Sequence, residues 1–201
     1  MKERKQPRKV EIPEDSVLDF DTFEELRQHA FKSSTWYLGK FPAHSTKLRQ
    51  RLFEKGYPDG ETRYIDYDDE EKSQHIVDSV IAELKDLVMV DDEFYIQSKL
   101  RSGLYSGKGI SLLARELKFK GVPEEELELA VEAIQDDIDM SIIDSVDKAA
   151  QKAMRASAYR KATNPWQRKM AVSRGLMAKG FDRDTIDEWM EANTTLLEEE
   201  N

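Results

Sequence analysis

Apolar residues recur at three- and four-residue steps through most of the chain, the spacing that lines one face of an α-helix. Leu48 and Leu52, Leu113 and Leu117, and Val172 and Leu176 are pairs four apart. Each pair runs into the same punctuation: Lys55-Gly56-Tyr57, Lys120-Gly121-Val122 and Lys179-Gly180-Phe181. A cation in the last turn suits the negative end of a helix dipole. Glycine next to it suits a left-handed C-cap, and an apolar residue after the glycine can fold back onto the helix. Pro58 and Pro123 then forbid continuation, and Asp182 stands in their place in the third copy.

A helix precedes and another follows each of these segments. Before the glycines the pattern predicts helices over Phe23 to Leu38, Asp92 to Leu104 and Asp144 to Ala162. After them it predicts Ile76 to Leu87, Glu124 to Ile138 and Arg183 to Met190. Asn164-Pro165 is an N-cap and first-turn pair for the middle helix of the third copy. No segment alternates with a period of two, so no sheet is expected. The fold class read from this order is all-α: a tandem array of three three-helix repeats, elongated and curved. The boundaries are 23–90 with an inserted loop at 56–69, 91–143 and 144–193. A charged N-terminal region, 1–22, and an acidic tail, 194–201, flank them; Met1 to Asp15 and Glu198 to Asn201 read as disordered.

Composition narrows the function. Of 201 residues none is cysteine, which removes thiolate metal sites, disulfides and thiol catalysis. Met1 to Val10 is charged and no signal-peptide core follows it. No apolar run nears the roughly 20 residues that span a bilayer, so a cytoplasmic protein is expected, without membrane association. The net charge of −10 argues against general DNA coating but conceals strong segregation. Lys148, Lys152, Arg155, Arg160, Lys161, Arg168, Lys169, Arg174 and Lys179 lie in an interval without Asp or Glu. Lys99, Arg101, Lys108, Arg115, Lys118 and Lys120 meet only Glu116. Pro123 to Asp147 holds acids and no Lys or Arg, and Asp59 to Glu71 is acidic apart from Arg63. Acids crowd the first turns of helices for dipole reasons alone. A long acid-free basic interval has no such excuse.

Other candidate chemistry is weaker. Gly103 to Gly109 with Lys108 lacks the spacing, the Ser or Thr and the preceding strand of a phosphate loop. Its glycines are better read as letting the chain turn between helices. Asp91-Asp92 fits helix capping. Asp136-Asp137-Ile138-Asp139 lacks the glycine and final glutamate of a calcium loop. His29, His44 and His75 have no metal-ligand spacing, and no nucleophile stands near a base in the pattern. No catalytic residue, cofactor or metal is therefore assigned, and the protein is expected to bind rather than to catalyse. Trp36, Trp166 and Trp189 suit helix packing; Trp166, inside the basic interval, could instead stack on a base or pack on a partner.

The run Asp91-Asp92-Glu93-Phe94, Lys99, Arg101, Gly107-Lys108-Gly109, Ile110, Leu113, Glu116-Leu117 and Gly121-Val122 resembles the central signature of RecX proteins. Leu48 to Leu52 with Lys55-Gly56-Tyr57 is similar to the first repeat of that family, and Lys179-Gly180-Phe181 with Ile186 to the last. The resemblance covers Phe23 to Glu191. It departs at Ile110, where the family usually has proline, in the third repeat before Lys169, and in the charged ends. It implies a crescent of three-helix repeats that lodges in the RecA–DNA filament and suppresses strand exchange and coprotease activity. The expected partner is thus a RecA nucleoprotein filament, with single- or double-stranded DNA a further partner, and the protein is expected to be a monomer. The alternative is a nucleic-acid-binding helical-repeat protein that acts without RecA; a generic protein scaffold is a third reading. The expected interface comprises Lys99, Arg101, Lys108, Arg115, Lys118, Lys120, Lys148, Lys152, Arg155, Arg160, Lys161, Arg168, Lys169 and Arg174. Lys148, Lys152 and Arg155 fall at helical steps, with Ala149, Ala153 and Ala156 expected on the inward side.

Overall fold

The structure, a computed structural model, describes residues 23–54, 70–133 and 135–198. Every regular element among them is a helix. They fall into two compact units that divide between Val90 and Asp91.

The first unit holds α1 (Phe23–Leu38), α2 (Ser45–Glu54) and α3 (Glu70–Asp86). Leu48 and Leu52 of α2 are buried with Val77, Val80 and Leu84 of α3 and Ala30 of α1. This is the four-residue apolar spacing of the sequence turned into one core. Arg27 ties α1 to Glu83 on α3, and Arg49 of α2 pairs with Asp78 of α3. His44 is buried just before α2, where its Nδ1 accepts a hydrogen bond from the Thr46 amide at 3.2 Å. It serves as a helix cap.

The second unit holds α4 (Asp92–Tyr105), α5 (Ile110–Phe119), α6 (Glu124–Ala133), α7 (Gln135–Met154), α8 (Ser157–Arg160), α9 (Pro165–Ala178), α10 (Arg183–Ala192) and α11 (Thr194–Glu198). It contains two apolar cores. Ile96, Leu100 and Leu104 of α4 meet Leu113 and Leu117 of α5 and Leu127 and Ala130 of α6. Val146, Ala149 and Ala150 of α7 meet Val172 and Leu176 of α9, and Ile186 and Trp189 of α10. The long α7 joins the two, packing against α4 on one side and α9 on the other.

Start signals in the sequence act as expected. Asp91 accepts a bond from the Phe94 amide at 2.8 Å and Asn164 one from Gln167. Asp182, which the sequence showed only in the place of the prolines, proves to cap α10 by accepting from Thr185. The Asp182 carboxyl is held below its ordinary value of 3.8, chiefly by the Thr185 amide and in spite of partial burial. Stop signals act as well. Gly121 and Gly180 have φ of 88° and 82°. Behind them the Val122 amide donates to Leu117 O, and the Phe181 amide to Leu176 O, at 3.1 and 3.3 Å. Val122 and Phe181 are buried, so the fold-back is real. The same closure ends α4 at Gly107 and α3 at Val88, a valine in the left-handed region with φ 55°. Gly56 and the 56–69 segment lie outside the described residues, as do 1–22 and 199–201.

Several expected boundaries are corrected. Residue 134 lies outside the described residues, so the expected end at Ile138 is replaced by helix on both sides of that residue, and α7 runs from Gln135, well before the expected start at Asp144. At its other end α7 stops at Met154; Ala156 is extended (φ −70°, ψ 154°) and precedes α8. Ala156 is therefore exposed, not inward, whereas Ala149 and Ala150 are buried. No Gly or Pro lies between Glu124 and Ala162, so the end of α7 has no local signature. Residues 194–198, read as the start of an acidic tail, form α11 and bury Leu197 in the third core. Trp36 and Trp166 are exposed rather than packed, and only Trp189 of the three is buried.

Candidate nucleic-acid interface

The Gly107-Lys108-Gly109 turn connects α4 to α5, and the second unit is built tightly around it. A Cβ on Gly109 would stand 2.3 Å from the Gly180 carbonyl oxygen and 2.7 Å from the Phe181 amide nitrogen. Only glycine allows the two turns to meet this closely, and the Gly109 amide donates to Lys179 O at 2.7 Å. Ser145, fully buried on α7, donates its hydroxyl to Lys108 O at 3.1 Å. The amides of Gly107 and Lys108 close the end of α4 on Leu104 O and Gly103 O. All three amides of this turn are thus committed to protein carbonyls, and none is left to cradle a phosphate.

That turn places α7 across the C-terminal end of α4, whose last carbonyls carry partial negative charge. Lys152 donates to Ser106 O at 2.9 Å and Lys148 to Tyr105 O at 3.3 Å. The Lys148 ammonium also stands 4.0 Å from the centre of the Tyr105 ring. These two lysines therefore act as caps for a neighbouring helix, a role their sequence spacing did not suggest. Arg155 follows one turn on, its amide still bonded to Gln151 O. Arg101 lies one turn before Tyr105 on α4, so the structure gathers Arg101, Lys148, Lys152 and Arg155 around the junction.

The remaining expected cations divide. Lys108 is paired with both oxygens of Glu116 at 2.7 Å. Lys118 is paired with Glu124 of α6, and Lys169 with Glu198 of α11 at 2.9 Å. Lys99 lies 5.5 Å from the Tyr95 ring centre, and Arg101 also donates to Gln97. Arg115, Lys120, Arg155, Arg160, Lys161 and Arg174 are exposed or half-buried and form no ion pair with any described residue. Arg168 is partly buried at the start of α9. Among the acids of α6, Glu124 takes Lys118, and the six exposed cations just named have no such counter-charge among the described residues. Tyr105 is the residue sequence reasoning missed; the available signal was an aromatic one helical turn beyond Arg101, just ahead of Gly107.

Regulatory protein RecX of Bacillus licheniformis is 32% identical over 123 residues, which take in 57% of the chain and 43% of that protein. Regulatory protein RecX of Enterococcus faecalis is 28% identical over 109 residues, 54% of the chain and 39% of that protein. The chain is thus similar in sequence to RecX proteins over somewhat more than half of its length. No family model matches it. The matched stretches span less than half the length of these two RecX relatives. The fold is similar to a crystal structure of regulatory protein RecX, with a TM-score of 0.62 at 19% identity, covering 84% of the chain and 73% of the other. It is also similar to a crystal structure of RecX from Lactobacillus salivarius, with a TM-score of 0.65 at 18% identity, covering 86% and 99%. The all-helical architecture is thus that of RecX structures. No helix among the described residues is long and apolar enough to cross a membrane.

Proposed function

We propose that the chain acts as a monomeric regulator that binds a RecA–DNA filament and lowers its recombinase and coprotease activity. The observation that carries this reading is the likeness to regulatory protein RecX in both sequence and fold. The three apolar cores, one in the first unit and two in the second, support the reading of three repeats at 23–90, 91–143 and 144–193. The cations around the α4–α7 junction, with Arg160, Lys161 and Arg174 beyond, are the surface offered to the filament or its DNA.

Unpaired cations at the surface also favour a second reading, direct binding of nucleic acid without RecA, because phosphate contacts need no protein partner. One titration separates the two. Increasing amounts of the protein are added to preformed RecA filaments on single-stranded DNA while ATP hydrolysis and co-sedimentation are followed. The regulator reading expects ATPase to fall at or below stoichiometric protein. Unchanged ATPase with no co-sedimentation, alongside binding to naked DNA, would replace it with the second reading.

A further inference from the structure

Tyr105 is out of keeping with its surroundings. It closes α4 with 78% of its surface exposed, although α7 packs directly against that helix. The lysine above it occupies one ring face; with so much of the side chain open, the other face is available. Around the ring stand Arg101, one turn earlier on α4, and the row of Lys148 and Lys152 on α7 with Arg155 just past its last residue, its amide still bonded to Gln151 O. Steps of four and three residues put neighbouring members of that row roughly 5–6 Å apart. Asp144, one turn before Lys148, is an acid beside this row. Asp147, next to it in sequence, turns instead to the Trp189 indole, which donates to it at 2.6 Å.

The two lysines are fixed without being used up. An ammonium has three N–H donors. Lys152 spends one on Ser106 O and Lys148 one on Tyr105 O, which leaves the others for an anion. Anchoring to main-chain carbonyls also removes part of the side-chain entropy that free lysines lose on binding a phosphate. An exposed aromatic face beside a fixed row of cations is the combination that binds unpaired nucleotides, with bases on the ring and phosphates on the cations. A duplex keeps its bases stacked internally and has no use for the ring.

We propose that Tyr105 stacks on an unpaired base of a single strand whose phosphates lie along Lys148, Lys152 and Arg155. This rests on the reading of the basic surface as a nucleic-acid interface and adds strand type and the stacking residue. The test uses the full chain and fluorescence anisotropy with a labelled oligothymidylate, a duplex of equal length and an oligouridylate. Tyr105→Ala should weaken oligothymidylate binding at least about fivefold, within the range of one stacked base. The salt slope should stay as it is, because every cation remains. Duplex binding should be unchanged. Tyr105→Phe should retain affinity, and Tyr105→Leu, which keeps bulk without a π-face, should behave as alanine does. Equal loss on oligouridylate extends the site to RNA. If Tyr105→Ala and Tyr105→Leu bind oligothymidylate as the parent does while Arg155→Glu weakens it, the stacking assignment is wrong and the basic surface stands. If the parent binds no oligothymidylate, alone or with RecA filaments, the surface reading fails and takes the stacking site with it.

Discussion

Replacing Val88 with glycine should make the protein more stable. The last turn of α3 closes as α4, α5 and α9 do: the Val88 amide donates to Lys85 O at 2.9 Å and the Met89 amide to Leu84 O at 2.9 Å. That closure demands a left-handed residue, and Val88 supplies it at φ 55° where the other three helices use glycine. A β-branched side chain in this region costs about 2 kcal/mol, from a range of about 1–3. Two effects oppose the relief. Glycine gains more freedom in the unfolded chain, costing about 0.5–1 kcal/mol. Val88 is 75% exposed, so its loss removes only about 0.5 kcal/mol of burial on the scale for a valine side chain. The net gain is about 0.5–1 kcal/mol. With a urea dependence of about 2 kcal/mol/M, the unfolding midpoint should rise by about 0.2–0.5 M. The reciprocal change, Gly121→Val, puts the same strain at φ 88° on an exposed position and should lower the midpoint by more. A midpoint that stays or falls in Val88→Gly, while Gly121→Val destabilises, would show that Val88 carries no releasable strain.

Gly109→Ala should destabilise the second unit by at least about 1–3 kcal/mol, since its methyl would overlap the Gly180 backbone rather than a movable side chain; unfolding by urea measures it. Asp182→Ala should cost about 1 kcal/mol through loss of the α10 cap, and Asp182→Asn much less. The depressed Asp182 carboxyl stabilises the fold above its ordinary value of 3.8 and ceases to as pH falls through its lower folded value. The advantage of the parent over the Asp182→Asn variant should therefore shrink below about pH 3.8, and a margin that grows in acid would reverse the assignment. Asp147→Ala leaves the indole N–H of the buried Trp189 without its acceptor, so melting should fall by an amount matching about 1–3 kcal/mol and Trp emission should shift. Arg155→Glu with Arg160→Glu should weaken binding to DNA or filament without altering the melt. Two lost phosphate contacts should also flatten the salt dependence by nearly two units in log–log slope; preserved binding would take the interface elsewhere.

Features that one residue and its near neighbours decide were legible in the chain. Helix period, the Asp91 and Asn164 caps and the Gly121 and Gly180 stops all depend on contacts within about a turn, so their signals are local. The apolar pairs 48/52, 113/117 and 172/176 became core for the same reason: a spacing of four defines a face, and a face must be buried. The likeness to RecX proteins was carried by the same short segments. What required the tertiary structure was every choice between two locally acceptable states. The chain from Glu124 to Ala162 carries no Gly or Pro, yet α7 runs straight through Asp144 and ends at Met154, ahead of the extended Ala156. Gly109 needed its lack of a side chain because of Gly180, more than seventy residues away in sequence. Charge was the least legible quantity. Lys108, Lys118 and Lys169 are absorbed by carboxylates, and Lys148 and Lys152 are fastened to the end of α4, while Arg155, Arg160 and Arg174 stay outside. All eight look alike as letters, because a cation's availability depends on which acceptors the fold brings within about 3–4 Å of it.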